Sequence, residues 1–126
     1  MNQLRVRAAV PDEAGEIEGI LDRSLLSFDR AKLREGCRGD SVLVADSVGR
    51  IRGVALLAGG HIRAVAVDHR DRNQGVGRAL VREIRARHPT VTATCDRQVA
   101  PFYEALGFSQ YELPNGRVFC YSRQSH

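Results

Sequence analysis

The chain has 126 residues, 43 % hydrophobic and 27 % charged, enough for one buried core and too few for two, so a single domain over residues 1–126 is expected. No apolar run reaches the roughly 18 residues a transmembrane helix needs. The opening MNQLRVRAAV lacks the apolar stretch of a signal peptide, so a cytoplasmic protein without membrane contact is expected.

A net charge of +4 suits an anionic ligand, but the arginines are scattered along the chain rather than clustered, which argues against nucleic acid. The cysteines, Cys37, Cys95 and Cys120, are irregularly spaced and form no metal-ligand pattern. They read as free, buried thiols.

Leu4 to Ala8 reads as a first strand. Pro11 suits the first turn of a helix, with Asp12 and Glu13 complementing its N-terminal dipole. Ile17, Ile20, Leu21 and Ser24 make one helical face, and a short second helix is expected from Phe28 to Glu35. Ser41 to Asp46 and Arg50 to Leu57 are strands joined near Ser47-Val48-Gly49. After Gly59-Gly60, the strand His61 to Asp68 is apolar on both faces, as a covered central strand is. A helix from about Gly75 to His88 follows: Val76, Leu80 and Ile84 line one side, Arg78, Arg82 and Arg85 the other, and Pro89 stops it. Val91 to Cys95 is a further strand, and a helix over Gln98 to Leu106 ends at Gly107. Phe108 to Glu112 and Arg117 to Tyr121 pair around Pro114-Asn115-Gly116. Early hairpins followed by helix-linked strands imply an α/β fold, a mixed sheet of about seven strands with about four helices on both faces.

The segment Val65 to Gly77 carries the strongest chemical signal. A strand runs into a polar loop that ends in Arg72-x-x-Gly75-x-Gly77, and a helix starts at once. The first N–H groups of a helix have no internal partner and sit at the positive end of its dipole, so they suit a pyrophosphate. Glycines let a ligand approach the main chain. A dinucleotide fingerprint would need glycine where Leu80 stands, and a P-loop would need Gly-Lys-Ser/Thr, whereas the chain's one lysine is the distant Lys32. By itself the spacing fits a plain glycine turn equally well.

A second motif, Pro101-Phe102-Tyr103-Glu104-Ala105-Leu106-Gly107-Phe108, follows one helix and one strand later. The pair, in this element order, resembles the GNAT acetyltransferase superfamily, and the resemblance is sharp over residues 61 to 108. Locally the chain is most similar to the arylalkylamine N-acetyltransferases. Their strand reads His-x-His-Ala-x-Ala-Val, against His61-Ile62-Arg63-Ala64-Val65-Ala66-Val67 here, and they share Cys95 and Pro101-Phe102-Tyr103. Arg63 replaces the second histidine, so the likeness supports amine acetylation and not an aromatic amine.

The resemblance implies acetyl-CoA as cosubstrate and a primary amine, of a small molecule or a protein, as acceptor. The main chain of Val65 and Val67 would pair with the pantetheine arm, helped by a bulge or splay in their strand. Asn73, Gln74, Gly75, Val76, Gly77 and Arg78 would hold the pyrophosphate, with Arg72 and Arg78 adding charge. Phe102 and Ala66 complete the expected cofactor-binding set, the Val65 or Ala66 N–H polarising the acetyl carbonyl. The amine must lose a proton to attack, and His61 is the first candidate base because imidazole titrates near neutrality. Asp68 or a backbone carbonyl acting through water is a rival. Tyr103 would protonate the leaving thiolate, or else form a passive wall. Cys95 acting through an acyl-enzyme is disfavoured, since nothing near it in sequence activates it.

Asp96 and Val99 stand where many family members carry Asn and Ala, so an Asn contact to the cofactor arm is not carried over. Asp22, Asp29 and Glu16 lie where the family lines its acceptor pockets, and could attract a cationic amine or simply form a charged helix face. Acetylation of charged tRNA would need a concentrated basic face at the acceptor groove. Phe119 and Tyr121 are candidates for a homodimer contact and equally for the monomer core. The alternative to an enzyme is a non-catalytic acyl-CoA-binding regulatory module.

Overall fold

The structure, a computed structural model, describes residues 4–23 and 30–123. Its seven strands are β1 (Arg5–Ala8), β2 (Val42–Ser47), β3 (Arg50–Ala58), β4 (His61–Val67), β5 (Thr90–Cys95), β6 (Ser109–Glu112) and β7 (Val118–Arg123). They form one mixed sheet in the order β1-β2-β3-β4-β5-β7-β6. The described helices are α1 (Ala14–Arg23), α2 (Arg30–Gly36), α3 (Val76–Arg87) and α4 (Ala100–Ala105). This is the mixed α/β sheet that the sequence pattern implies. Ser24, Phe28 and Asp29, expected around the first two helices, lie outside the described residues.

Both faces of the sheet are packed, and the period of two along each strand sends alternate residues to opposite sides. Val42 and Val44 of β2, with Val54 of β3, meet Ile17, Ile20 and Leu21 of α1 and Leu33 of α2. Leu43, Ala55, Leu57, Val91 and Ala93 meet Leu80, Val81 and Ile84 of α3, together with Tyr103 and Phe108. Tyr121 is exposed and Phe119 half-buried, their rings stacked at 6.1 Å, while Val118 and Cys120 of the same strand enter the core.

Three local features differ from the sequence expectation. α4 is shorter than Gln98 to Leu106, because residues 97–99 form a turn closed by the Val99 N–H on the Asp96 carbonyl at 2.9 Å. Pro101, which has no N–H to give, sits in the first turn of the helix. The β6–β7 turn is longer than a two-residue hairpin: the Leu113 N–H donates to the Arg117 carbonyl at 2.9 Å across a five-residue loop. Finally, β4 has a helix on each face, Ala66 on the α1 side and Val65 and Val67 against the α3-side core, but Val65 and Val67 are only half-buried because they also line a cleft.

The cleft begins where β4 parts from β5. This is the one parallel pairing among the described strands, and it lasts two residues, His61↔Thr92 and Ile62↔Ala93. Beyond it, β4 stays with β3 as far as Val67↔Gly53, and β5 stays with β7 as far as Cys95↔Val118. The β3–β4 register shifts between Leu56↔Ala64 and Leu57↔Ile62, leaving Arg63 as an extra residue on β4. Such a bulge bends its strand and increases the local twist.

α3 is seated on β3 at Gly53. A Cβ there would stand 2.6 Å from Val76 Cγ1 and 3.2 Å from Leu80 Cδ1. Gly53→Ala is therefore expected to push α3 off the sheet and to cost about 1–3 kcal/mol, lowering Tm by about 5–10 °C in a thermal melt.

Candidate active site

The Arg72-x-x-Gly75-x-Gly77 segment forms the turn into α3. Asn73 (φ +65°) and Gly75 (φ +83°) adopt the left-handed conformation. Of the common residues, glycine and asparagine tolerate it best, which is why they alternate with ordinary ones here. The first bond of the helix is donated by Ala79 to Gly75 at 3.0 Å. Among the described residues, the N–H groups of Gln74 to Arg78 find no backbone acceptor outside the helix. Successive free N–H groups at the positive end of α3 make a concavity suited to an anion.

A cleft of about 1060 Å³ opens in front of them, lined by Arg72, Asn73, Gly75, Val76, Gly77 and Arg78, with Val65, Ala66 and Val67 along one wall. Gln74 is not among its lining residues. Arg72 and Arg78 make no ion pair with the described residues. Asp71 lines the same cleft, but its carboxylate is covered: Arg50 donates two bonds to it at 2.9 Å and Arg52 a third at 2.6 Å.

A second cleft of about 360 Å³ continues from the first, sharing Val65, Val67, Gly77, Val99 and Phe102. It runs between the parted strands, past Thr94, Cys95 and Asp96 of the β5 side, to Tyr103. Backbone geometry explains what β4 presents here. The Asp68 N–H donates to the Arg52 carbonyl at 2.8 Å. Alternation along an antiparallel pair then turns the Ala66 N–H toward β3, and the N–H and C=O groups of Val65 and Val67 toward the edge that β5 has left. The Ala66 N–H is thus engaged by β3, whereas the Val65 N–H faces the cleft.

Tyr103 is 5 % exposed, wedged edge-on between Phe102 at 5.1 Å and Phe108 at 5.3 Å. Burial, with Cys95 and Cys120 close by, pushes its hydroxyl well above the ordinary phenol range. It is therefore a proton-bearing group throughout the physiological range. Its hydroxyl makes no hydrogen bond among the described residues. Cys95 lies 3.9 Å from Cys120, whose thiol burial pushes up to about 11, and no described base touches either sulfur.

Not every expected residue converges on the cleft. His61 stands at the closed end of β4, where its Nδ1 shares a 2.8 Å hydrogen bond with Thr92 Oγ1, and it lines neither cleft. Asp68 is 2 % exposed and faces arginines: Arg70 at 3.1 Å, Arg23 at 3.4 Å and Arg50 at 3.8 Å. The Arg70 hydrogen bond, above all, holds its carboxyl far below the usual carboxylate range, which removes it as a base. Glu16 accepts the Ile51 N–H at 3.0 Å and is not an idle acid, Asp22 forms only an open surface pair with Arg30 at 3.7 Å, and neither lines either cleft. Arg63, Arg117 and Thr94 line the smaller cleft without having been expected there. No local motif marks them, because the bulge and the β5–β7 register that place them are tertiary features.

The fold matches known proteins. The sequence profile of the Acetyltransferase (GNAT) domain matches residues 38–110, and the chain belongs to this family. Acetyl-CoA is the cosubstrate of that family, and the chain is an acetyltransferase. Among solved structures, Ard1 from Thermoplasma volcanium superposes with a TM-score of 0.78 at 21 % identity, covering 98 % of this chain and 99 % of its own. The ribosomal-protein-S18-alanine N-acetyltransferase from Escherichia coli gives 0.77 at 17 % identity over 98 % of this chain and 96 % of its own. Rv2747 from Mycobacterium tuberculosis, solved in complex with CoA, gives 0.79 at 18 % identity over 96 % and 99 %. At these identities the likeness concerns the fold. No curated protein matches the chain in sequence. No helix among the described residues is long and apolar enough to cross a membrane.

The charge cluster beneath the loop has a consequence for stability. Burial pushes Asp71 up, but the hydrogen bonds from Arg50 and Arg52 outweigh it and hold the carboxyl low, as Arg70 does for Asp68. A carboxyl depressed in the folded state stabilises the fold above its unfolded pKa of about 4, and loses that contribution as pH falls toward the folded value. Tm should stay flat from about pH 7 to pH 5 and fall below about pH 4. Asp71→Asn should cost about 2–3 kcal/mol at pH 7, and its deficit relative to the native chain should shrink on acidification, as read from melts across pH.

Proposed function

We propose that the chain, acting over residues 1–126 as one domain, transfers the acetyl group of acetyl-CoA to a primary amine by direct attack. The observation that carries this reading is the continuity of the two clefts. A loop of free N–H groups lies at one end, the unpaired edge of β4 runs along the middle, and a buried, protonated tyrosine lies at the other end. The N–H groups of Gly75 to Arg78 would take the pyrophosphate, with Arg72 and Arg78 supplying charge and Asn73 and Gln74 shaping the turn. Val65 and Val67 would pair with the amides of the pantetheine arm as an added strand, with Phe102 against it.

Acetyl-CoA supplies the activated acyl group, and the chain supplies placement. The amine nitrogen bonds to the acetyl carbon, and the developing oxyanion is met by the Val65 N–H. Collapse breaks the carbon–sulfur bond, the Tyr103 hydroxyl delivers its proton to the leaving thiolate, and the second proton shed by the nitrogen as it becomes an amide restores the tyrosine. An alkyl ammonium has a pKa of about 10, so its proton must leave first. Asp68 is spent on arginines, which leaves His61, whose ring lines neither cleft, or a backbone carbonyl, either of them reached through water. The local likeness to the arylalkylamine enzymes supports an amine acceptor and does not require an aromatic one.

CoA release measured across a panel of amines and peptides tests the reading. Tyr103→Phe should lower kcat at least about tenfold while leaving acetyl-CoA affinity by calorimetry unchanged. An unaltered kcat would remove Tyr103 as the acid. A Cβ at Gly77 would stand 3.3 Å from Phe102 Cζ and 3.7 Å from Val67 Cγ2. Gly77→Ala should therefore raise KM for acetyl-CoA by about threefold to tenfold without changing KM for the amine. Should His61 take the amine proton, His61→Gln lowers kcat about tenfold or more at an unchanged acetyl-CoA KM, whereas an unchanged kcat assigns that step elsewhere.

A further inference from the structure

The smaller cleft carries charge that acetyl-CoA does not explain. Arg63, the extra residue of the β4 bulge, is exposed, lines this cleft with Tyr103, and makes no hydrogen bond or ion pair with the described residues. Arg117, just before β7, lines it from the other half-sheet. Its contacts are loose: Asp96 at 3.5 Å, in a pair whose side chains are 48 % and 66 % exposed, and the Thr94 carbonyl at 3.4 Å. An ion pair this open to water contributes little and is easily exchanged for a better partner. Among the described residues, Asp96 is the one acid lining this cleft, against the two arginines.

The phosphates of acetyl-CoA belong at the glycine loop in the larger cleft, where Arg72 and Arg78 meet them, and the pantetheine arm is uncharged. Cations at the Tyr103 end therefore have no counterpart in the cosubstrate. Of the acids that might have drawn in a cationic amine, Glu16 is committed to the Ile51 N–H, and neither Glu16 nor Asp22 lines this cleft. Guanidinium groups are suited to planar, two-pronged recognition of a carboxylate.

We propose that Arg63 and Arg117 form a carboxylate-binding subsite for the acceptor, which is then an amine that also bears a carboxylate, as a free amino acid does. This rests on the proposed transfer to an amine. A simple cationic amine would meet net positive charge at the mouth and be disfavoured.

The test compares kcat/KM for L-alanine, L-phenylalanine, L-glutamate and L-lysine with that for their amides, in the native chain, Arg63→Gln and Arg117→Gln. The best acid should exceed its amide by about tenfold or more, and either substitution should bring the ratio within about threefold at an unchanged acetyl-CoA KM. Equal rates for acid and amide overturn the proposal, as does a substitution that raises the acetyl-CoA KM and leaves the acid preference intact. Calorimetry of the N-acetyl acids and N-acetyl amides on the CoA-loaded protein separates this from the mechanism. Preferential binding of the acids upholds the subsite even where Tyr103→Phe turns over normally. Absence of both binding and turnover for every acid, while acetyl-CoA still binds, overturns the subsite and leaves the cosubstrate site standing.

Discussion

A strand in the middle of a sheet ordinarily spends its main-chain groups on both neighbours. β4 does so only up to Ile62, and beyond that residue it has β3 on one side and no strand on the other. Backbone N–H and C=O groups are costly to leave unpaired away from water, so such a gap persists only where solvent or a ligand can fill it. The rest of the site depends on this opening. The cleft exists because the two half-sheets diverge, and its walls come from whatever each half carries to the gap: Val65 and Val67 from one, Thr94 and Cys95 from the other, with Phe102 and Tyr103 arriving on α4. On the proposed reading, an amide-bearing arm laid against β4 would restore the missing pairing and tie ligand affinity to main-chain geometry rather than to any one side chain.

Electrostatics then divides the cleft by function. At the α3 end, partial charges from free N–H groups add to Arg72 and Arg78, and the nearby acid, Asp71, is neutralised by Arg50 and Arg52 from β3. That ion pair also anchors the loop to the sheet, so the anion cradle is held by residues that do not belong to it. At the Tyr103 end the ring itself lies among apolar and aromatic side chains, although Arg63, Arg117 and Asp96 also line that cleft, and burial keeps the hydroxyl protonated. One fold thus keeps a strongly solvating, cationic compartment beside one suited to withholding and releasing a single proton.

Much of this was legible before any coordinates. The helix at residues 76–87 announces itself by the four-residue spacing of Val76, Leu80 and Ile84, and the loop before it by Asn73 and Gly75, residue types chosen for left-handed backbone. The hairpin at Val48-Gly49 and the turn at Gly116 were likewise marked by their glycines, whose φ values are +71° and +84°. The partial exposure of Val65 and Val67 was not legible, because an apolar side chain beside a cleft and one wholly under a helix look alike in sequence. Asp68 looked like an available acid because the arginines that claim it come from α1, β3 and the loop itself.

The sequence by itself determined the element order, the positions of the turns, the glycine loop before α3 and the tyrosine segment, since these rest on short-range spacing and on what individual residue types permit. The tertiary structure alone decided which strands separate, which acids are already spent, that His61 faces Thr92 rather than the cleft, and that Arg63 and Arg117 share one. Those facts depend on strand register and on partners far apart along the chain, and register is set by the packing of the whole sheet rather than by any segment of it.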